Sequence, residues 1–321
     1  MFVDNRTSFD VALPRGLFSE GLSVAALVLT VAYRITEKGL VPWEGKREVL
    51  PTDPPESKDH PLWHGAGVTV SGTVSGPGRS PHVAYADLRV GEAARRLVVT
   101  GDRRWVKNAG KLVISAPSAW ESMPLSWSLA FGGSLVIPPG PMGPEGLPHP
   151  GGTYAFALNP GGKGLVLDET KAEGVQLPNF ESPEAQVKAP LDQPRPAGFA
   201  PCPDLPGLRA PEGLSEDALK DLEKTLRLAL RMRHSAPGDL VFEDLAPGTE
   251  IEVKGVGKRK VTFPVPSCPV TMDVRKERKA TRIPAAIRSV HVSADDDAVL
   301  VEYGHSISYE VAPSWVVVRG V

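Results

Sequence analysis

The sequence predicts a mainly β (α+β) fold, with an antiparallel β-sandwich or barrel-like sheets, one principal helix and a long, irregular middle segment rich in proline and glycine. Three observations lead to this prediction. Short apolar or alternating runs separated by turn residues fill both ends of the chain. One stretch, 215–234, has leucines at helical spacing. Many of the 32 glycines and 33 prolines lie in the middle third, where they disfavour regular structure.

The N-terminal part, residues 1–136, is predicted to be β-rich. Its most apolar run, Leu22 to Tyr33, has the sequence LSVAALVLTVAY. This run is well short of the roughly 20 residues that a membrane-spanning helix needs, and its valines and terminal tyrosine favour a buried strand. The preceding residues, which begin MFVDNRTSFD, lack the basic region of a secretory signal. We therefore expect no membrane insertion.

The middle part, residues 137–214, is predicted to be irregular and to pack on the same domain. Stretches 137–164 and 177–213 contain too much proline and glycine for a helix or a central strand. Irregular segments of this length are uncommon inside compact domains and are usually functional or disordered. The segment 177–201, LPNFESPEAQVKAPLDQPRPAGFAP, holds most of the polar side chains that could act in a site.

The principal helix is predicted over 215–234, SEDALKDLEKTLRLALRMRH. Ser215 is a suitable N-cap, and the two acids after it oppose the positive end of the helix dipole. Pro237 and Gly238 end the pattern. An apolar stripe at three- and four-residue spacing consists of Leu219, Leu222, Leu226 and Leu230.

Strands are predicted to resume after the helix, so residues 215–321 form a third, helix-plus-β part. Within it, Ala294 to Asp297 are predicted to form the turn of a hairpin between two alternating runs. The three parts are 1–136, 137–214 and 215–321, and the alternative is one single domain over 1–321. No internal repeat of fixed period is present in the sequence.

Composition indicates a globular protein with no general affinity for nucleic acid. Hydrophobic residues make up 41% and charged residues 23% of the chain, and the net charge is -2. The two cysteines, Cys202 and Cys268, lie far apart, so reduced thiols and a cytoplasmic location are expected.

The segment Lys254 to Arg282 is locally basic. It is interpreted as the solvated face of edge strands, with contact to an acidic partner or to phosphates as the alternative.

The sequence offers no convincing catalytic, cofactor or metal motif. NPGGKG, 159–164, departs from a phosphate-binding loop, because Gly164 rather than Ser or Thr follows the lysine. His60 and His64 have a spacing that binds zinc only on a helix, and Pro61 argues against one. Ser134 lacks the trailing glycine of a nucleophile elbow. We therefore expect no catalytic residue, no cofactor and no metal.

Paired carboxylates are the alternative that the sequence leaves open. Glu181, Glu184 and Asp192 all lie in the segment 177–201. Two acids that face each other across a groove could hydrolyse a glycosidic bond, but their separation in space cannot be obtained from spacing along the chain. Acids beside serine and proline in a loop more often cap backbone amides.

Four short motifs in order resemble a bacterial domain of unknown function, number 2169. They are LAFGG (129–133), NPGGKG (159–164), LPNFESP (177–183) and QPRPAGFAP (193–201). LVLTVAYRI, LRVGEAARRLVVTGDRRWV and MPLSW upstream, and HSAPGDL and FEDLAPGTEIEVKGVGKRKVTFPVP downstream, are similar to other segments of that family. The resemblance thus covers most of the chain.

The resemblance implies a non-enzymatic role in type VI secretion. Proteins of this family are thought to be cytoplasmic adaptors or chaperones, which bind a secreted effector, a PAAR-like tip or the spike protein and help to load cargo. The resemblance does not decide whether the protein is itself delivered with the spike. The alternatives from other classes are a carbohydrate-active enzyme that uses the loop carboxylates and a structural component of a secretion assembly.

Eight residues of the motifs are predicted to bind the partner or to fix the loop. Asn179 and Glu181 can bond local amides, Arg195 can bind a carboxylate through two parallel hydrogen bonds, and Phe199 can anchor the loop on the core. The full set is Asn159, Gly164, Asn179, Phe180, Glu181, Arg195, Gly198 and Phe199.

Overall fold

The computed structural model describes residues 2–6, 10–12, 15–19, 22–43, 63–79, 82–140, 151–203, 209, 230–232, 234–276, 279–309 and 315–320. The first described strands are β1 (Phe2–Asn5), β2 (Asp10–Ala12), β3 (Arg15–Ser19), β4 (Leu22–Thr36), β5 (Gly39–Pro42), β6 (Ala66–Ser71), β7 (Thr73–Ser75), β8 (Val83–Val90) and β9 (Ala93–Thr100). The next are β10 (Trp105–Asn108), β11 (Lys111–Ile114), β12 (Ser122–Pro124), β13 (Phe131–Gly132), β14 (Ser134–Ile137), β15 (Gly152–Ala155), β16 (Lys163–Gly164) and β17 (Phe180–Glu181). The last are β18 (Val241–Phe242), β19 (Glu250–Lys254), β20 (Val261–Pro264), β21 (Val270–Lys276), β22 (Lys279–Ile283), β23 (Ala286–Ser293), β24 (Ala298–Tyr309) and β25 (Trp315–Gly320).

The prediction of a mainly β fold is confirmed. The largest sheet of described strands has the order β18-β6-β23-β24-β4-β2, and β3 and β5 also pair with β4. A second sheet has the order β17-β9-β8-β19-β20, and a third the order β1-β25-β21-β22. Four two-stranded pairs join β10 with β11, β12 with β7, β13 with β16 and β14 with β15.

The expectation of an antiparallel β-sandwich or barrel-like sheets is confirmed only in part: the second sheet is antiparallel throughout, but other sheets include parallel pairs. β6 runs parallel to β23, β1 runs parallel to β25, and β13 runs parallel to β16. None of the sheets formed by the described strands closes on itself. β6 and β23 lie far apart along the chain, so no hairpin forces them to be antiparallel, and a parallel partner reached by a long crossover is as accessible.

β4 confirms the strand predicted from Leu22 to Tyr33 and explains why its sequence is continuously apolar. Leu27 and Leu29 lie in the main core cluster, while Ala26 and Val28, which point to the opposite face, are also buried. A strand that is buried on both faces needs apolar residues at every position rather than at alternate ones. Apolar side chains of the second sheet, such as Val253 of β19, belong to the same core.

The hairpin predicted around Ala294 to Asp297 is also confirmed. These residues form the turn between β23 and β24, and Asp297 has a φ of 51°. Its carboxylate accepts a hydrogen bond of 3.0 Å from Arg259. In the basic segment 254–282, β20 and β22 lie at the edges of their sheets, where the edge-strand interpretation places them.

The principal helix predicted over 215–234 lies almost wholly outside the described residues. Within those residues, helical structure is limited to Arg209, to Leu230 and Arg231, and to three 3-10 turns, Trp127–Leu129, Glu169–Lys171 and Gly238–Leu240. Two helical positions near the end of the predicted stretch are too few to support a principal helix. Among them, no helix has the length and apolar character that crossing a membrane requires.

His234 is buried against the large sheet and gives a pH-dependent contribution to stability. It is 3% exposed, and its Nε2 donates to the carbonyl oxygen of His64 at 3.0 Å. Burial lowers the pKa of His234 to about 4 from its ordinary 6.5. The unfolded chain therefore binds a proton below pH 6.5 that the folded protein does not bind until pH is near 4.

We predict that this difference weakens the fold as pH decreases. The stabilising contribution is fully present above the unfolded pKa and is lost as pH falls toward the folded pKa. The contribution of His234 to the free energy of unfolding should fall by about 2 kcal/mol between pH 7 and pH 5. Urea unfolding at the two pH values measures the total drop. In His234→Gln the drop should be smaller by this contribution, and an equal drop in wild type and variant would contradict the assignment.

Candidate functional site

The motifs LAFGG and NPGGKG, distant in the sequence, lie against each other. β13, which holds Phe131 and Gly132, pairs in parallel with β16, which holds Lys163 and Gly164. A β-carbon placed on Gly132 would lie 2.1 Å from the carbonyl oxygen of Asn159. The backbones of the two motifs are thus too close for any side chain at this position, which explains a glycine there.

Asn159 fixes this contact with its side chain. It is 1% exposed, and its Nδ2 donates to the carbonyl oxygens of Trp127 at 2.7 Å and Phe131 at 3.0 Å. Gly164 has a φ of 105°, and a β-carbon on it would lie 2.9 Å from Cδ of Pro178. Asn159 and Gly164 therefore hold NPGGKG between LAFGG and the segment 177–201, which we call the signature segment.

Asn179 connects the signature segment to the end of β9. Its Nδ2 donates to the carbonyl oxygen of Thr100 at 2.8 Å and to Oδ1 of Asp102 at 3.1 Å. Its backbone carbonyl oxygen accepts a hydrogen bond from the N–H of Thr100, and its backbone N–H donates to the carbonyl oxygen of Leu129. The hydrogen bond from Asn179, followed by the charge of Lys163, holds the pKa of Asp102 below its usual value. Asn179 is 1% exposed and so lies beneath the surface.

Phe180 and Glu181 form β17, which adds a short strand to the edge of β9. Phe180 is buried in the main core. Oε2 of Glu181 accepts a hydrogen bond from Nη2 of Arg103 at 2.5 Å, and its Oε1 accepts one from the backbone N–H of Val187 at 2.8 Å. The side chains of Glu181 and Arg103 are 1% and 11% exposed, so this is a buried ion pair.

Arg103 extends the network, because the same Nη2 also donates to the carbonyl oxygen of Pro178 at 2.8 Å. The sequence interpretation missed Arg103 as a site residue. The signal was present in the GDRRW string, but the contact spans 78 residues and cannot be obtained from local spacing.

The other two acids of the signature segment serve local bonds. Glu184 accepts a hydrogen bond from the hydroxyl of Ser182, which lowers the pKa of its carboxyl. Oδ2 of Asp192 accepts hydrogen bonds from the backbone N–H groups of Lys188, at 2.8 Å, and Ala189, at 2.7 Å. These two bonds lower the pKa of the Asp192 carboxyl. Each acid thus closes a turn of its own.

Gly198 and Phe199 pack the end of the signature segment on Trp127. A β-carbon on Gly198 would lie 3.0 Å from the indole ring of Trp127. Phe199 is 2% exposed, and its carbonyl oxygen accepts the N–H of Val70 at 2.8 Å. Nε1 of Trp127 donates to the carbonyl oxygens of Ala200 and Pro201, both at 3.1 Å. Trp127 was the second residue that the sequence interpretation missed, although it lies in the MPLSW string.

The signature segment forms one wall of an open cleft of about 390 Å³, which we call the signature cleft. The residues that line the signature cleft include Leu97, Trp127, Ala185, Arg195, Gly198 and Phe199. Of the eight predicted residues, Arg195, Gly198 and Phe199 thus line a cleft. Asn159, Gly164, Asn179, Phe180 and Glu181 instead lie beneath the surface, in contacts that fix the loop.

Arginines and acids form the rim of the signature cleft. Arg95 is paired with Asp239 at 3.0 Å, and its side chain is 48% exposed. Arg96 is paired with Asp87 at 2.6 Å and lies over the ring of Tyr85 at 5.4 Å. Exposed ion pairs of this kind are worth little free energy and can exchange partners readily. The lining of the cleft therefore mixes apolar side chains with charged ones.

Within the residues that the structure describes, no group of three or more histidine, cysteine or acidic side chains could hold a metal ion. His60 lies outside those residues. Cys202 and Cys268 are both free, and burial raises the pKa of the Cys202 thiol to about 12.

Comparison with known proteins agrees with the motifs. A family model described as uncharacterized protein conserved in bacteria (DUF2169) matches residues 38–303. Neither the curated proteins nor the solved structures contain a significant match. The matched range includes all four motifs and every residue of the signature segment. The chain therefore belongs to the DUF2169 family of uncharacterized bacterial proteins.

Proposed function

We propose that this protein is a non-enzymatic adaptor or chaperone of type VI secretion. It binds a secreted effector, a PAAR-like tip or the spike protein in the bacterial cytoplasm and helps to load cargo. Its partners are proteins rather than nucleic acid or membrane. The proposal rests on the ordered resemblance of the four motifs and on the signature cleft that the signature segment forms.

The observation that supports binding most directly is the internal bonding of the signature segment. Asn179, Glu181 and Asp192 each bond to backbone groups of their surroundings, so the segment keeps its shape without a partner. A preformed surface loses little conformational entropy on association, which favours recognition. Arg195 lines this surface and is our choice for a partner contact.

The enzyme alternative has less support. Retaining and inverting glycosidases need two carboxyl groups that face each other across a substrate groove. Glu181 is buried against Arg103, Glu184 bonds Ser182, and Asp192 caps a turn. These bonds assign a structural task to each acid of the signature segment.

Affinity purification from bacteria that express a type VI secretion system tests the proposal. We expect the tagged protein to recover an effector, a PAAR-like protein or the spike, identified by mass spectrometry. Recovery of this chain alone, as an assembly with itself, would favour a structural component. Recovery of no partner together with measurable sugar hydrolysis would favour the enzyme and contradict the adaptor.

A further inference from the structure

Strands β6 and β23 bring a histidine between two hydroxyl side chains. In the parallel register of these strands, Thr69 lies opposite His291 and Ser71 lies opposite Ser293, so Thr69 and Ser71 are on one face of β6. Oγ1 of Thr69 is 2.8 Å from Nδ1 of His291, and Oγ of Ser71 is 3.0 Å from Nε2. Both ring nitrogens are therefore within hydrogen-bond distance of a hydroxyl.

The three side chains, those of Thr69, His291 and Ser71, differ in burial. His291 is 2% exposed and Thr69 is 3% exposed, whereas Ser71, the last residue of β6, is half-buried. Ser71 lies in the wall of a second open cleft, of about 710 Å³, which we call the proline cleft. Its lining is largely apolar and includes Leu125, Trp127, Pro160 and Pro201. The imidazole of His291 is thus buried, whereas Ser71, within hydrogen-bond distance of it, lies at a cleft that suits an apolar ligand.

This arrangement has the parts that nucleophilic catalysis needs, namely a hydroxyl, a base within hydrogen-bond reach and a group that orients the base. In the tautomer with the proton on Nδ1, that nitrogen donates to Thr69, and Nε2 accepts the hydroxyl proton of Ser71. Thr69 is neutral, so it can orient the imidazole without stabilising its charged form as a carboxylate would. The activity should therefore be modest and confined to reactive esters.

A rival nucleophile lies in the same cleft, and the structure argues against it. Cys202 also lines the proline cleft, but burial raises the pKa of its thiol to about 12, so the reactive thiolate is scarce near neutral pH. Ser128 lines the cleft as well, and its hydroxyl lies 2.8 Å from that of Ser126. Among these hydroxyls, that of Ser71 is the one within hydrogen-bond distance of an imidazole.

We propose that Ser71 is a nucleophile that accepts the acyl group of small apolar esters, with His291 as its base. The Oγ of Ser71 forms a bond to the acyl carbon while its proton moves to Nε2 of His291. The ester's alcohol leaves with that proton. Water then cleaves the acyl–serine bond, releases the carboxylic acid and restores the hydroxyl. This inference does not depend on the proposed binding role; it keeps that role but replaces its non-enzymatic part with a weak hydrolytic activity.

Labelling with a biotinylated fluorophosphonate, followed by peptide mass spectrometry, tests the assignment. The reagent should attach to Oγ of Ser71 with loss of fluoride. The native protein should also hydrolyse p-nitrophenyl butyrate, and Ser71→Ala should reduce that rate to the level of buffer. His291→Gln should lower labelling about a hundredfold, the usual contribution of a general base. Ser122→Ala, at an exposed serine of β12 outside the proline cleft, is the matched control and should behave as wild type.

Thermal melting of each variant separates lost chemistry from lost folding. If His291→Gln does not fold, Ser71→Ala decides the matter, because Ser71 is half-buried at a strand end. Absence of label on Ser71 in the folded protein, or wild-type hydrolysis by Ser71→Ala, would overturn the inference. Affinity purification tests the adaptor function separately, so either proposal can fail alone.

Discussion

Replacing Glu181 by glutamine is expected to lower the free energy of unfolding by about 4 kcal/mol, in the range for breaking a buried ion pair. The glutamine keeps the shape of the side chain but leaves Arg103, which is 11% exposed, as a charge without its carboxylate. It also weakens the acceptor for the N–H of Val187. Urea unfolding followed by tryptophan fluorescence measures the change.

Glu173→Gln is the matched control for this prediction. Glu173 pairs with Lys107 at 2.9 Å, but the two side chains are 51% and 57% exposed. An exposed pair contributes at most about 1 kcal/mol. If both variants lose the same small amount, then the Arg103–Glu181 pair does not hold the signature segment in place.

Gly132→Ala is the second large effect, and we expect a loss of at least about 4 kcal/mol, as for the most severe single substitutions. The new β-carbon would lie 2.1 Å from the carbonyl oxygen of Asn159, so LAFGG and NPGGKG would have to separate. The clash involves backbone rather than a flexible side chain and cannot be relieved by a rotamer change. Soluble yield and the urea midpoint measure the effect.

Comparison with Gly152→Ala separates the steric part of this loss from the conformational part. Gly152 has a φ of 148°, close to the 147° of Gly132, but no atom lies within 4 Å of its β-carbon position. Its substitution carries only the conformational cost, about 1–3 kcal/mol. Equal losses in the two variants would show that backbone conformation, and not the packing of the two motifs, explains the glycine at 132.

The sequence predicted those parts of the fold that depend on local pattern. The apolar run from Leu22 to Tyr33 and the turn from Ala294 to Asp297 are confirmed, because burial on both faces and turn chemistry each leave a local trace. The parallel pairing of β6 with β23 was missed, because pairing between distant segments depends on the whole chain. The helix over 215–234 stays a prediction.

The order of the motifs indicated the candidate residues but not the task of each. Asn159 and Asn179 are buried among carbonyl oxygens, a setting that nothing in their neighbours along the chain indicates. The hydrogen bonds of His291 span more than 200 residues, as the separation of 222 from Thr69 shows. Among the acids, Glu181 pairs with Arg103 across 78 residues, whereas Glu184 and Asp192 bond close neighbours, so spacing along the chain could not separate the buried acid from the two local ones.

The most direct test of the central claim, that the signature cleft binds the secretion partner, is to fill the cleft. Ala185 is exposed in its wall, so Ala185→Trp adds bulk without disturbing the core. Ala280, exposed on the edge strand β22, provides the control Ala280→Trp. Both variants should keep the wild-type unfolding midpoint.

In affinity purification with quantitative mass spectrometry, we predict that Ala185→Trp recovers at least about tenfold less effector, PAAR-like protein or spike, the change expected when a central contact worth 1.4 kcal/mol or more is lost. Ala280→Trp should recover the wild-type amount. Equal recovery by the two variants would contradict binding in the signature cleft.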